Sequence, residues 1–274
     1  MFDFFANIFG YVLNFIYNFV GNYGLAIIIF TILLKLVMLP LSIKQQKTMK
    51  KSTKLQAEVK VLQEKYSNDP VRLNQEMMDL YKNENMSPFS GCLSSILQMI
   101  VILSIFFLVS RPLTFMLHVD EKVINDYVTE IKQESEGKAS YQEIAVIKAK
   151  GAEDERVRIN MDFLGLDLSD VPSNNFSNWK VFVIPVLYVC TSIISMRITT
   201  SMQKAKQEEK KEEKSKDETE DAMLEMNKTM NYMMPIMSVS IALIAPLGLA
   251  LYWLVSNVLM IIERLIINKV CNDA

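Results

Sequence analysis

The hydrophobic residues of the chain fall into long apolar runs separated by strongly polar blocks. A helix that crosses a bilayer needs about 20 predominantly apolar residues. Five runs meet that length and predict membrane spans at residues 21–43, 89–110, 178–199, 227–246 and 247–268. The last two are separated only by "PLG" at residues 246–248, where proline ends one helix and the next begins. The pattern therefore predicts an all-α polytopic membrane protein with five transmembrane helices, the last two forming a tight hairpin.

The first 20 residues are apolar too, but four polar side chains recur along them at helical spacing. These are Asp3, Asn7, Asn14 and Asn18. The spacing places them on one face and predicts an amphipathic helix, residues 1–20, that lies in the membrane interface. The alternative is a signal peptide, although the segment has no lysine or arginine and no obvious small-residue cleavage site.

The polar block at residues 44–88 carries a narrow apolar seam. Its members are Leu55, Val59, Leu62 and Tyr66, and then Leu73, Met77 and Leu80. Between the two groups, Asp69 is a good helix cap and Pro70 suits the first helical position. The block is therefore predicted to be a cytoplasmic helical hairpin, with a solvated, fraying linker as the alternative.

Basic residues close to the spans predict the orientation of the chain, because such residues collect on the cytoplasmic side. They follow the first and third spans: Lys44, Lys47, Lys50, Lys51 and Lys54, and then Arg197, Lys204 and Lys206. Residues 44–88, a charged loop at 200–226 and a short tail at 269–274 are thus expected in the cytoplasm. The loop at 111–177, with 13 acidic against 8 basic residues, is expected outside together with the N-terminus.

Lys35 lies inside the first predicted span, where a charged side chain costs about 2.5–3.5 kcal/mol. Two accounts stay open: the amine reaches the cytoplasmic surface along its flexible stem, or it faces a water-filled cavity. A buried carboxylate partner is poorly supported, because Glu263 is the only acid within a predicted span. Uncharged polar residues at similar depth are Thr31, Ser94, Gln98, Thr191, Ser192, Ser195, Asn231, Ser256 and Asn257. They favour a wet pocket, although serine and threonine also join membrane helices.

Composition narrows the function further. Half of the residues are hydrophobic and the mean hydropathy is +0.17, which favours a membrane protein. The three cysteines lack metal-binding spacing, His118 is the only histidine, and no phosphate-binding loop occurs. We therefore expect no catalytic residues, no enzymatic activity, no metal, no cofactor and no nucleic-acid specificity.

A specific resemblance rests on three stretches of the sequence: "FTILLKLVMLPLSIKQQKTM", "NQEMMDLYKNENMSPFSGCLSSILQM" and "MNYMMPIMSV...APLGLALYWLVSNVLMIIERLI". In order and spacing they are similar to the YidC-type membrane protein insertases, relatives of the mitochondrial oxidase-assembly and chloroplast Albino proteins, in their Gram-positive-like five-span form. The resemblance covers the five spans and the hairpin. It implies a bacterial plasma membrane protein with a hydrophilic groove that is open to the cytoplasm and to lipid.

The resemblance also implies which residues line this groove: Lys35, Thr31, Gln98, Ser94, Ser195, Asn231, Trp253 and Asn257. Lys35 stands where the family typically has arginine, so the charge is kept and the bidentate fork is lost. Ile100 and Ser195 depart from the family's proline and glutamine. Trp253 matches an aromatic residue beside the substrate path, with an interfacial anchor as the alternative.

The implied function is insertion of membrane proteins with one or two apolar segments, without ATP. Clients are expected to contact the cytoplasmic hairpin at Met49, Met77, Met78 and Tyr81, because methionines adapt to varied apolar surfaces. Expected partners are nascent membrane proteins and the lipid bilayer, with the Sec translocon, the ribosome and the signal recognition particle pathway as candidates. The alternative function is a small anion transporter or channel that uses Lys35.

Overall fold

A computed structural model describes residues 2–84, 90–134, 141–208 and 240–272, which are mostly helical. Three helices are long and apolar enough to cross a membrane: Tyr23–Gln45, Trp179–Ile198 and Leu247–Ile266. A shorter apolar helix, Ile96–Ser110, lies within the second predicted span. The fourth predicted span, residues 227–246, falls mostly outside the described residues.

Nine α-helices are bounded within these ranges. They are α1 Phe2–Val20, α2 Tyr23–Lys65, α3 Pro70–Asn83, α4 Ser90–Ser110, α5 Pro112–Phe115, α6 Glu121–Glu134, α7 Gln142–Lys150, α8 Val183–Glu208 and α9 Leu247–Asn272. Two short strands, β1 Asp162–Phe163 and β2 Leu166–Asp167, pair antiparallel. The chain forms two compact units: the first contains Asp3–Leu34 and the described part of Ile105–Ala274, and the second contains Lys35–Ser104.

Helix α2 does not end with its apolar run but continues without interruption for 43 residues through Pro40. The first predicted membrane span ends at residue 43, inside this helix. The polar residues that follow are mainly lysine, glutamine and glutamate, all good helix formers, so no local signal stops the helix before Lys65.

In the second unit, α3 follows the end of α2, and two contacts connect this pair of helices. The side chain of Asp69 caps α3 by accepting a hydrogen bond from the Arg72 amide at 3.1 Å, and Pro70 occupies the first turn, which confirms the predicted cap. At the other end of the pair, Lys51 Nζ lies 3.3 Å from Glu84 Oε2. Leu55 is buried. A capped turn and an ion pair thus hold the two helices side by side.

In the first unit, α1 buries one face against the segment that follows α4. Gly10 lies against the Phe115 carbonyl, and the rings of Tyr11 and His118 are 4.2 Å apart. The Tyr17 hydroxyl accepts a hydrogen bond from the Asn160 amide at 2.8 Å. The opposite face exposes large apolar side chains: Phe4, Ile8, Phe15 and Phe19. One face of α1 is therefore packed against the protein, and the opposite face exposes apolar, mainly aromatic side chains.

The described residues between α4 and α8 fold into a small lobe. Helices α6 and α7 pack through Ile124, Val128, Ile144 and Ile147, all buried. A two-residue turn follows, with Leu164 at φ 55° and Gly165 at φ 77°, and it joins β1 to β2. Positive φ at both central residues gives the twist that a tight hairpin needs.

The lobe also supplies hydrogen-bond acceptors to the start of α9. The amide of Leu247 donates to the Asp170 carbonyl and that of Gly248 to the Leu168 carbonyl, each at 2.9 Å. The first amides of a helix have no partner inside it, so these carbonyls act as a remote cap. Residues 240–244 are helical and the helix breaks at Pro246, where the sequence predicted it.

Candidate functional site

Two predicted groove residues on α9, Trp253 and Asn257, lie at its contact with α8. Asn257 Nδ2 donates a hydrogen bond of 2.7 Å to Ser192 Oγ, and the rings of Trp253 and Tyr188 are 5.8 Å apart. Such contacts join these two apolar helices through an amide–hydroxyl pair and an aromatic pair. The sequence placed Ser192 at membrane depth but not among the groove residues, and it did not single out Tyr188. The partner of each lies 65 residues away in the chain.

Thr31 and Ser195 are both buried in the first unit. The Thr31 hydroxyl donates to the carbonyl of Ile27, one turn earlier on α2, at 2.6 Å. This hydrogen bond satisfies the hydroxyl inside its own helix, a common arrangement for threonine in apolar surroundings.

Lys35 and Gln98 belong to the second unit. The side chain of Lys35 is half-buried, and twelve residues separate it from the start of α2, which at 1.5 Å per residue is about 18 Å of helix. Gln98 is exposed on α4. The side chain of Ser94 and the whole of Asn231 fall outside the described residues.

Of the hairpin residues predicted to meet clients, Met78 is 60% exposed, whereas Met77 and Tyr81 are half-buried. The side chain of Met49 is outside the described set. Val61 on α2 and Val71 on α3 are exposed as well, at 62% and 77%. These valines add apolar surface that the sequence did not single out.

A cluster missed by the sequence surrounds Glu143, which is buried in the lobe. Its carboxylate accepts hydrogen bonds from the Thr114 amide at 3.0 Å and the Thr114 hydroxyl at 2.6 Å, and Arg111 Nε lies 3.9 Å away. Burial raises the pKa of Glu143, although the bonds from Thr114 and the charge of Arg111 act in the opposite direction. Its local sequence, "YQEIAVIK", resembles an ordinary exposed helix start, so it carries no signal for this burial.

The family model of the 60Kd inner membrane protein matches residues 15–274, nearly the whole chain. The chain belongs to the 60Kd inner membrane protein family. A family member from Fusobacterium nucleatum, named membrane protein insertase YidC, is 26% identical over 259 residues, covering 94% of this chain and 92% of that protein.

Other members of the 60Kd inner membrane protein family match over smaller shares of their own length. The YidC insertase of Pelobacter propionicus is 28% identical over 96% of this chain, but the match covers 38% of that protein. The YidC insertase of Francisella tularensis subsp. novicida is 40% identical over 125 residues, which are 43% of this chain and 23% of the relative.

Proposed function

We propose that the chain is a membrane protein insertase. The observation that carries this proposal is the family match over residues 15–274, together with a relative named an insertase that aligns along almost its full length. An anion transporter is not favoured, because the relatives described above all bear the insertase name. The proposed work is the transfer of apolar segments into the bilayer, with no catalytic residue and no cofactor.

The proposed topology has five spans, with the N-terminus outside and the C-terminus in the cytoplasm of a bacterial plasma membrane. Three apolar helices of sufficient length and the shorter helix Ile96–Ser110 support it. The lysines that follow the first span support a cytoplasmic hairpin, because basic residues are retained on that side. The lobe between α4 and α8 is then external, as its excess of acidic residues favours.

We assign the central role to Lys35, on the grounds that its charge lies within the candidate span Tyr23–Gln45. A hydrated groove at this depth shortens the hydrocarbon that polar backbone must cross, which lowers the barrier to translocation. An acidic substrate tail is drawn to the ammonium group. Lysine suffices for this attraction, since no planar bidentate contact is required.

The helical pair formed by α2 and α3 is the proposed first contact for nascent chains. Met78, Val61 and Val71 support this role because they leave apolar surface exposed. Methionine side chains pack against apolar segments of varied shape. The Sec translocon, the ribosome and the signal recognition particle pathway are candidate sources of these chains.

The substrate itself supplies the energy of insertion. About 20 apolar residues at roughly 0.3–0.6 kcal/mol each give on the order of 10 kcal/mol. The membrane potential adds about 2.3 kcal/mol per charge per 100 mV and favours outward movement of acidic tails. ATP is therefore not needed by this protein.

The proposal is tested by exchanging Lys35 in proteoliposomes that receive a single-span substrate with an acidic external tail. Lys35→Ala is expected to reduce insertion at least tenfold, because the tail loses its attraction to the positive charge that lies deep inside the span. Lys35→Arg is expected to insert at the wild-type level. Protease protection of the translocated tail measures both.

The matched control is Lys47→Ala, which removes an exposed lysine from the same helix beyond the candidate span. It is expected to insert normally. If Lys35→Ala and Lys47→Ala behave alike, the intramembrane charge has no role in insertion. If the wild-type protein inserts nothing yet moves small anions, the transporter function replaces the insertase.

A further inference from the structure

An open cavity of about 780 Å³ lies in the first unit where α4 ends. Its apolar lining includes Phe106 and Phe107, which belong to the apolar helix Ile96–Ser110. Its charged lining includes Arg111 and Glu121, in the polar segment that follows. The cavity therefore has both an apolar and a charged part of its wall, and none of the predicted groove residues that the structure describes borders it.

Two polar groups that line this cavity have hydrogen-bonding capacity that the described residues do not satisfy. Ser110 is 8% exposed, and its Oγ has no hydrogen-bond partner within the described residues. The Arg111 guanidinium is 58% exposed; Glu143, its partner, is 3.9 Å from Nε, too far for a hydrogen bond. A guanidinium has five N–H donors, and a buried hydroxyl left unpaired destabilises the fold. A ligand with acceptor oxygens at this point would satisfy both groups.

The charged residues around the cavity indicate the charge that a ligand would need. Three carboxylates line it, those of Asp3, Glu121 and Glu143, against the single guanidinium of Arg111. Glu143 is already bound by Thr114 and lies beside Arg111, which leaves Asp3 and Glu121 to set the local charge. A simple anion is disfavoured by this negative excess. A ligand with one phosphate and one ammonium group fits it.

The apolar part of the cavity wall indicates that the ligand also has a hydrocarbon chain. Phe106 is five residues before Arg111, or about 7.5 Å along the helix. The headgroup layer of a bilayer has a similar thickness, roughly 5–8 Å on each side of the hydrocarbon core. Ile244, which is 57% exposed, continues the apolar wall. An acyl chain can therefore follow the aromatic residues while its headgroup reaches Arg111.

We infer that this cavity binds a zwitterionic phospholipid with a primary ammonium, that is, a phosphatidylethanolamine. The phosphate accepts hydrogen bonds from Arg111 and Ser110, and the ammonium lies against Glu121 and Asp3. A primary ammonium has three N–H donors for these carboxylates, whereas a choline group has none. A choline group is better held by an aromatic cage, whereas the ammonium here is proposed to lie against two carboxylates.

The test is native mass spectrometry of the purified full-length chain with equimolar phosphatidylethanolamine, phosphatidylcholine and phosphatidylglycerol of identical acyl chains. The wild type is expected to retain one phosphatidylethanolamine in preference to the other two. Arg111→Gln is expected to weaken retention about tenfold, the typical effect of losing a charge-assisted hydrogen bond. Lys122→Gln, which removes a positive charge from an exposed neighbouring site outside the cavity wall, is the matched control and keeps the wild-type affinity.

Two further variants separate lipid binding from folding. Ser110→Ala removes a hydroxyl that has no partner in the described protein, so the thermal stability is expected to stay level or rise. Its lipid affinity is expected to fall about threefold. Glu121→Gln, at an exposed position, is expected to abolish the preference for phosphatidylethanolamine over phosphatidylcholine while keeping binding of the phosphate.

Three outcomes overturn the inference. Equal retention of phosphatidylcholine shows that no carboxylate holds the ammonium. Preference for phosphatidylglycerol shows that Arg111 acts as a simple anion site. Retention that is the same in Arg111→Gln and Lys122→Gln places the lipid elsewhere. Because insertion is not measured, the result is independent of the proposed function.

Discussion

The approach of α1 to α5 depends on a single missing side chain. A Cβ atom added at Gly10 would lie 1.7 Å from the Phe115 carbonyl oxygen and 2.6 Å from its carbon. Non-bonded carbon and oxygen atoms need about 3.5 Å, so Gly10→Ala forces α1 to move away by roughly 1.5–2 Å. The obstacle is backbone rather than a side chain, so no rotamer change relieves the clash.

The magnitude follows from two opposing effects. Overpacking of this kind costs up to about 3 kcal/mol. Alanine is about 1 kcal/mol more favourable than glycine inside a helix. The net loss is about 2 kcal/mol, or about 30-fold in the opening equilibrium of α1. Displacement of α1 also separates the rings of Tyr11 and His118.

Hydrogen–deuterium exchange in detergent micelles or nanodiscs measures this opening. In Gly10→Ala, the amides of α1 are expected to exchange about 30-fold faster, while those of α3 are unchanged. Gly248→Ala is the matched control, because its Cβ would meet only ordinary contacts, the nearest being Tyr23 Cε1 at 3.5 Å. Unchanged exchange of α1 in Gly10→Ala would refute the close packing of these two backbones.

Three other perturbations test the lobe and the helix contact. Lys148 contacts the carboxylate of Asp170, whose carbonyl caps the start of α9. Lys148→Met is therefore expected to raise amide hydrogen exchange at the start of α9 two- to fivefold, and unchanged exchange would contradict the remote cap. Burial raises the pKa of Glu143 from its ordinary value of 4.5. The protonated carboxyl therefore stabilises the lobe below about pH 4.5, and this contribution is lost as the pH rises through the pKa of the folded state. Glu143→Gln should therefore flatten the pH dependence of protection at the Thr114 amide, corrected for intrinsic exchange; a profile like that of the wild type would argue against the burial. For Asn257 and Ser192, a double-mutant cycle with alanine is expected to give a coupling of about 0.6 kcal/mol in unfolding experiments, and zero coupling would show that the pair contributes nothing.

Some elements follow from the order of residues alone because their causes are local. A helix that crosses a bilayer needs a long apolar run, so the candidate spans Trp179–Ile198 and Leu247–Ile266 were predictable from hydropathy. The cap at Asp69 and Pro70 needs only neighbours within three residues. The family motifs likewise pointed to Lys35, Trp253 and Asn257 without any knowledge of the fold.

Other features arise between residues that are far apart in the chain, and no local pattern encodes them. Nothing in the sequence near Glu143 indicates its burial, and its two hydrogen-bond donors come from Thr114, 29 residues earlier. Ser192 finds its partner only because α8 packs against α9.

The sequence by itself therefore determined the membrane class, the helical character and the candidate charge at Lys35, since each depends on composition within a short window. Only the tertiary structure decided that the start of α9 is capped by the carbonyls of Leu168 and Asp170, and that Gly10 must lack a side chain. Those are contacts between backbones of distant segments, and backbone atoms are the same in every residue. Their meeting is a property of the fold, which hydropathy does not specify.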